Sequence, residues 1–280
     1  MVVSVRWAFN VSSWTPTKMQ MQFALSCIQQ EEKDRISKYV FGDSFKASLV
    51  GRLMLRKFVH VVTGLQYNEI KFRRDDKGKP FLDNSDYQLD VNVSHQGNYA
   101  VLAGELGPCK LGVDVMKMEY TTKNRPLAEF FRLMTRHFSP LEWCNIKQGA
   151  NEQKQTEGFY RHWCLKESYV KNLGCGITVN LQNISFEIQN RTLSEDKVVS
   201  DTVCKVNGEY LDGWRFEESL LDEDHCVAVS LYSKGDKPPI KLFEFLNFND
   251  LVKNAVPLLE PDPELCDEFF KKESHPYINN

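Results

Sequence analysis

The chain has 280 residues, 42% of them hydrophobic, enough for one large domain or two of ordinary size. A charged fraction of 26% is close to the globular average, and a net charge of −3 argues against a dedicated nucleic-acid binder, so any anion site must come from local clusters of Lys and Arg. No apolar run reaches the roughly 20 residues of a membrane-spanning helix, MVVSVRWAF lacks the apolar core of a secretory signal, and the eight cysteines form no C-x-x-C pair, so the expectation is a reduced, soluble, cytosolic protein with no zinc site.

In chain order, the first half reads as helices followed by strands. SFKASLVGRLMLRKFVHVVTG, from Ser44, places Leu49, Leu53, Phe58 and Val62 near helical spacing among Lys and Arg, with Gly64 as its stop. NEIKFRRDDKGKPFLD reads as a strand breaking into a polar loop over residues 74–80. There Arg74, Lys77 and Lys79 surround Gly78, a composition that suits a phosphate cradle and equally a solvated hairpin tip. YQLDVNVSHQGNYAVLAGE reads as two strands joined at Gln96-Gly97-Asn98, and KLGVDVM as the next strand of one antiparallel meander. Asn92, Ser94 and His95 bring hydrogen-bonding groups to that tight turn, His95 suiting a structural or a catalytic role alike.

KLGVDVM raises a chemical question. Leu111, Val113 and Val115 alternate with Gly112, Asp114 and Met116, so a carboxylate sits in mid-strand on a face it shares with a thioether.

The second half repeats the order loosely. Helices are predicted over 126–137, 140–147 and 153–173, and strands over 184–188, 208–216 and 225–232, which suggests an internal duplication of element order. FYRHWCLKESYVKNLG is the strongest helical pattern, with Phe159, Trp163, Val170 and Leu173 as its apolar stripe. Glu167 lies at the shoulder of that stripe with Lys171 one turn on. Such a carboxylate suits a metal ligand or a general base, and the same spacing describes an ordinary surface ion pair. Neither a P-loop nor a dinucleotide-binding glycine fingerprint is present.

Each signal is weak singly, but their order is specific. KGKP, NVSHQGNYAVLA, GVDVM and WCLKESYVK in succession closely resemble the 4′-phosphopantetheinyl transferases of the long, two-subdomain, surfactin-synthetase-activating type, and EEKDRISKYVF, GRLMLRK and FLNFNDLVKNAVP extend the likeness over nearly the whole chain. The resemblance implies an α+β fold of two similar subdomains, pseudo-duplicated antiparallel sheets with flanking helices, and an active-site cleft between them. The expected boundaries are 1–115, 116–232 and an extension over 233–280 that packs back on the body. It further implies a monomeric, Mg²⁺-dependent enzyme of the holo-acyl-carrier-protein synthase type. Such an enzyme moves the phosphopantetheine arm of coenzyme A onto a serine of apo acyl or peptidyl carrier proteins, as in fatty acid synthase or aminoadipate-semialdehyde dehydrogenase-like proteins.

Carried over residue by residue, Asp114 and Glu167 would hold Mg²⁺. Arg35 and the loop Arg74, Asp75, Asp76, Lys77, Gly78 and Lys79 would hold the adenosine phosphates. Asn92, Val93, Ser94 and His95 would line the coenzyme site, with His95 on a phosphate. Lys166 and Lys171 would neutralise the pyrophosphate, and Glu167, with His95 as runner-up, would take the serine proton. Bacterial relatives commonly carry a third acid where this chain has Met116, a soft thioether ill-suited to Mg²⁺, so water or Gln96 would complete the shell. A non-catalytic coenzyme A or carrier-protein binding module of the same fold is the alternative.

Overall fold

The computed structural model describes residues 3–76, 78–83, 86–120, 125–174 and 179–274. The chain divides into two compact units, one made of Val3–Leu106 with Phe243–Asn280 and the other of Gly107–Leu242. The expected boundary at 115/116 falls inside a strand that lies wholly in the second unit, and part of the expected C-terminal extension belongs to the first.

The first unit opens on a strand rather than a helix, β1 (Val3–Asn10). Val5, Trp7 and Phe9 alternate along it with Ser4, Arg6 and Ala8, and Arg6 is buried and donates to Glu105 Oε1 at 2.8 Å with neither side chain open to water. All eight residues of β1 pair antiparallel with β5 (Tyr99–Leu106), which pairs on its other side with β4 (Leu89–Gln96). A two-residue parallel strand, β12 (Glu244–Phe245), closes the far edge, giving the order β12-β1-β5-β4. Helix α3 (Gly42–Thr63) lays Phe45, Leu49, Leu53 and Phe58 into a core shared with Trp7, Phe9 and Leu102, and it ends as expected at Gly64 in the left-handed region. Leu246, Leu251 and Leu265 from the end of the chain complete that core. Short strands β2 (Phe72–Arg74) and β3 (Pro80–Leu82) form a separate hairpin.

The second unit repeats the plan. Strand β6 (Lys110–Lys117) pairs over its full length with β11 (His225–Tyr232), and β11 with β10 (Trp214–Asp222). The expected meander therefore stops at β5: both edges of β5 are taken by β1 and β4, and β6 finds its partner far down the chain. A second sheet joins β7 (Ile184–Glu187), β8 (Val203–Val206) and β9 (Glu209–Tyr210). The strand expected over 208–216 splits in two because Asp212 Oδ1 accepts the Gly213 N–H at 2.8 Å and turns the chain between β9 and β10.

Helix α6 (Glu152–Leu173), capped by Asn151, packs on β6 and β11 as α3 packs on its own sheet. Its buried face runs through Cys164, Leu165, Ser168 and Tyr169, whereas Leu173 of the expected stripe is 41% exposed. Small Cys and Ser carry little weight in an apolar periodicity, yet they set how closely the helix lies on the sheet. Helices α4 (Leu127–Leu133) and α5 (Pro140–Lys147) pack with α6 through Phe131, Phe138, Trp143 and Phe159.

Candidate active site

The chemistry of the second unit starts from the contact of β6 with α6. A Cβ built on Gly112 would lie 2.1 Å from the Ser168 carbonyl oxygen and 2.5 Å from the Asn172 nitrogen, so only glycine lets the strand approach the helix this closely. Polar groups seal the seam. Ser230 Oγ donates to Ser168 O at 2.8 Å, Asn172 Nδ2 donates to the carbonyls of Lys110 and Ser230, and the Cys164 thiol donates to Asp114 O at 3.1 Å.

Two residues after Gly112 on the same face, Asp114 is only 5% exposed and accepts from Lys171 Nζ at 2.6 Å. Glu167, half-buried one turn before Lys171, completes the group. Its carboxyl is held above the usual range, first by burial and then by the negative charge of Asp114, with Lys171 opposing both. The arrangement is two carboxylates and one ammonium, with a like-charge repulsion that a cation would relieve.

That donor set suits Mg²⁺. Hard oxygen ligands in the form of one or two protein carboxylates, with substrate phosphates and water filling the rest of the shell, are how Mg²⁺ is commonly bound. Among the described residues there is no cluster of three or more His, Cys, Asp or Glu side chains that could form a fuller cage. Met116, on the same strand face as Asp114, offers a soft sulfur instead of a third carboxylate.

Lys166 departs from its expected role. Its side chain is closed to water, and its Nζ bonds Glu142 Oε2 at 2.9 Å, the Leu181 carbonyl at 2.8 Å and the Ile184 carbonyl. At 100° per residue it projects about 140° around α6 from Lys171, so the two lysines serve opposite sides of the helix. Glu142 in turn accepts the Ser139 N–H at 2.8 Å and the Phe186 N–H at 3.1 Å. The one sequence signal of this pair is the Ser139–Glu142 capping box, S-x-x-E, which the structure realises.

The anion-site candidates of the first unit fall into three groups. Arg35 and Arg74 both reach Glu31 Oε1, at 3.4 and 3.1 Å, so a carboxylate joins two cations that sequence spacing kept apart. Arg74 Nη1 also donates to the Gly78 carbonyl at 2.8 Å, and Asp75 Oδ1 accepts the Lys79 N–H at 2.8 Å, which closes the loop into a tight turn. Lys79 Nζ pairs with Asp90 at 2.9 Å, Asp76 is exposed at the tip, and Lys77 lies outside the described residues. On β4 the pleat places Asn92 and Ser94 on one face and Val93 and His95 on the other, with His95 exposed. No helix among the described residues is long and apolar enough to cross a membrane.

Comparison with known proteins follows the two units. The family model "4′-phosphopantetheinyl transferase, N-terminal" matches residues 12–107, and "4′-phosphopantetheinyl transferase superfamily" matches residues 110–230. The chain is 39% identical to the Homo sapiens L-aminoadipate-semialdehyde dehydrogenase-phosphopantetheinyl transferase over 291 residues, 98% of this chain and 94% of that protein. It is 33% identical to a phosphopantetheinyl transferase of Thraustochytrium sp., covering 83% and 81%, and 24% identical to the Bacillus subtilis 4′-phosphopantetheinyl transferase, covering 68% and 87%. With both units matched in order and the likeness running from end to end, the chain belongs to the 4′-phosphopantetheinyl transferase superfamily.

Proposed function

We propose that the chain transfers the 4′-phosphopantetheine arm of coenzyme A to a serine hydroxyl of an apo carrier protein, releasing adenosine 3′,5′-bisphosphate, as a holo-acyl-carrier-protein synthase type of enzyme. The observation that supports this most directly is the grouping of buried Asp114 with Lys171 at 2.6 Å and Glu167 one turn away, held on a strand and helix pressed together at Gly112. Attack on the β-phosphate builds negative charge on its oxygens and on the departing bisphosphate, so the protein's task is positioning and charge.

Lys171 would present its ammonium to the pyrophosphate, and Asp114 keeps that ammonium in place. Glu167, whose proton affinity burial raises, would accept the serine proton as the hydroxyl attacks. Bound Mg²⁺, held by Asp114 and Glu167, would neutralise phosphate charge. Arg35 and the loop Arg74, Asp75, Asp76, Lys77, Gly78 and Lys79 would hold the adenosine phosphates, and Asn92, Val93, Ser94 and His95 would line the coenzyme site, with His95 on a phosphate. The reading assigns the chain to the cytosol as a monomer acting on carrier domains such as those of fatty acid synthase or aminoadipate-semialdehyde dehydrogenase-like proteins.

Incubation with coenzyme A, Mg²⁺ and an apo carrier protein, followed by mass spectrometry of the carrier, tests this. A carrier heavier by one phosphopantetheine is expected. An unmodified carrier, with coenzyme A still bound by the chain, would instead identify a binding module.

A further inference from the structure

On the second unit, the first turns of α6 and the irregular segment over 190–198 line an open cavity of about 730 Å³, and none of the residues proposed for the transfer reaction is part of its lining. Its polar lining includes two consecutive buried residues with unspent hydrogen-bonding capacity. Arg161 lays Nε and Nη2 on the two oxygens of Glu218, at 2.7 and 3.1 Å, while Thr202 caps the same carboxylate at 2.6 Å. The Nη1 donors of Arg161 have no acceptor among the described residues. His162, 3% exposed, places Nδ1 2.7 Å from the Gly158 carbonyl, which fixes the proton on Nδ1 and leaves Nε2 as an acceptor. That Nε2 has no partner among the described residues. A buried polar atom so placed carries a free-energy cost that an occupant would lift.

We infer that this cavity is a second ligand site, which takes a neutral, partly apolar molecule whose amide or hydroxy-carbonyl group accepts from Arg161 and donates to His162. Three features set the class. The charge of Arg161 is cancelled by Glu218, so the floor carries no net charge. Beyond the Arg161–Glu218 pair the lining carries both signs, Lys154 and Arg191 together with Glu157, Glu195 and Glu223, so neither an anion nor a cation is selected. Ile188, Leu193 and Leu220 supply apolar wall for the rest of the molecule. Burial holds the His162 ring neutral, its pKa lowered to about 4, which keeps Nε2 an acceptor at neutral pH. Nε2 is closed to water, so an occupant reaches it by a shift of the surrounding wall, part of which is the 190–198 segment, without regular structure and tied to β10 by the Leu220 N–H to the Ser194 carbonyl at 3.0 Å.

Titration calorimetry of the full chain with benzamide, benzoate and benzylammonium tests the inference. Benzamide is expected to bind, with affinity falling about fivefold or more in His162→Leu and being lost in Leu193→Trp, which fills the cavity from its wall. Leu193→Trp is expected to keep transferase turnover at the wild-type level, which separates cavity filling from misfolding. Absence of benzamide binding, binding indifferent to Leu193→Trp, or tighter binding of either charged probe overturns the assignment.

Discussion

Lys166 Nζ stands 2.9 Å from Glu142 Oε2 with neither side chain open to water, so the lysine next to the proposed general base is part of the framework. Burial pushes the lysine's pKa down and the carboxyl's up, and each partner opposes the other's shift. Every remaining bond of the pair ends on backbone of the second unit: the carbonyls of Leu181 and Ile184 and the N–H groups of Ser139 and Phe186.

Lys166→Met is therefore expected to strip a partner from a buried carboxylate and to cost about 3–5 kcal/mol, read from urea unfolding. Adding Glu142→Leu to the same variant should recover most of that loss, because no buried charge then remains. The KM for coenzyme A in the double variant is expected to match wild type. A large rise in KM would put Lys166 back at the phosphates.

Glu167→Gln separates catalysis from stability. Removing the proton acceptor is expected to lower turnover by about 10²–10⁴-fold. The same change removes a half-buried charge held against Asp114, so the melting temperature of the metal-free protein should rise rather than fall. Near-normal transfer by this variant would remove Glu167 from the mechanism.

Magnesium affinity is expected to depend on coenzyme A. With two protein carboxylates, one of them already bonded to Lys171, and Met116 in place of a third, the free protein should bind Mg²⁺ weakly. Substrate phosphate oxygens then add ligands. Calorimetric titration with and without coenzyme A checks this, and equal affinities in the two states would count against the two-carboxylate site.

His162 gives the protein an acid sensitivity with a defined window. Its folded pKa, lowered to about 4, lies below the ordinary value of 6.5, so between these values the unfolded chain binds the proton and the folded chain does not. Stability from this residue is intact above pH 6.5 and drains away as pH falls toward 4, on the order of 3 kcal/mol in all. His162→Leu should flatten urea-unfolding midpoints across that range. Equal pH dependence in wild type and His162→Leu would show that the ring takes up its proton alike in the folded and unfolded chain.

Gly112→Ala is expected to force β6 from α6, since the added carbon would overlap the Ser168 carbonyl and the Asn172 nitrogen. Overpacking of this kind costs about 1–3 kcal/mol. Because Asp114 and Glu167 ride on the two separated elements, transfer should drop by on the order of 100-fold even in the folded fraction. Circular dichroism together with turnover corrected for folded protein reads both effects.

Much of the second unit was legible because its elements carry strong local patterns. The alternation around Asp114 and the spacing from Glu167 to Lys171 survive in the structure as a strand and a helical turn. What stayed hidden is non-local. The burial of Arg6 in β1 is one case, because a lone arginine reads as exposed until its partner Glu105 is known. Lys166 and Lys171 look alike in sequence, and only the packing of α5 against α6 tells them apart. Sheet membership of β6 failed for the same reason: pairing with β11 is a long-range choice that no local turn signal encodes.

The division of the chain also sets an order of events during synthesis. Gly107–Leu242 is one unbroken stretch, so every residue of the second unit has been made before Phe243 is added. The first unit is split, and its core lacks Leu246, Leu251 and Leu265 and its sheet lacks β12 until translation passes those positions. The unit whose first residues come earlier is thus the later one to be completed, and premature termination near residue 242 would leave a finished second unit and a first unit with an open core and a bare sheet edge.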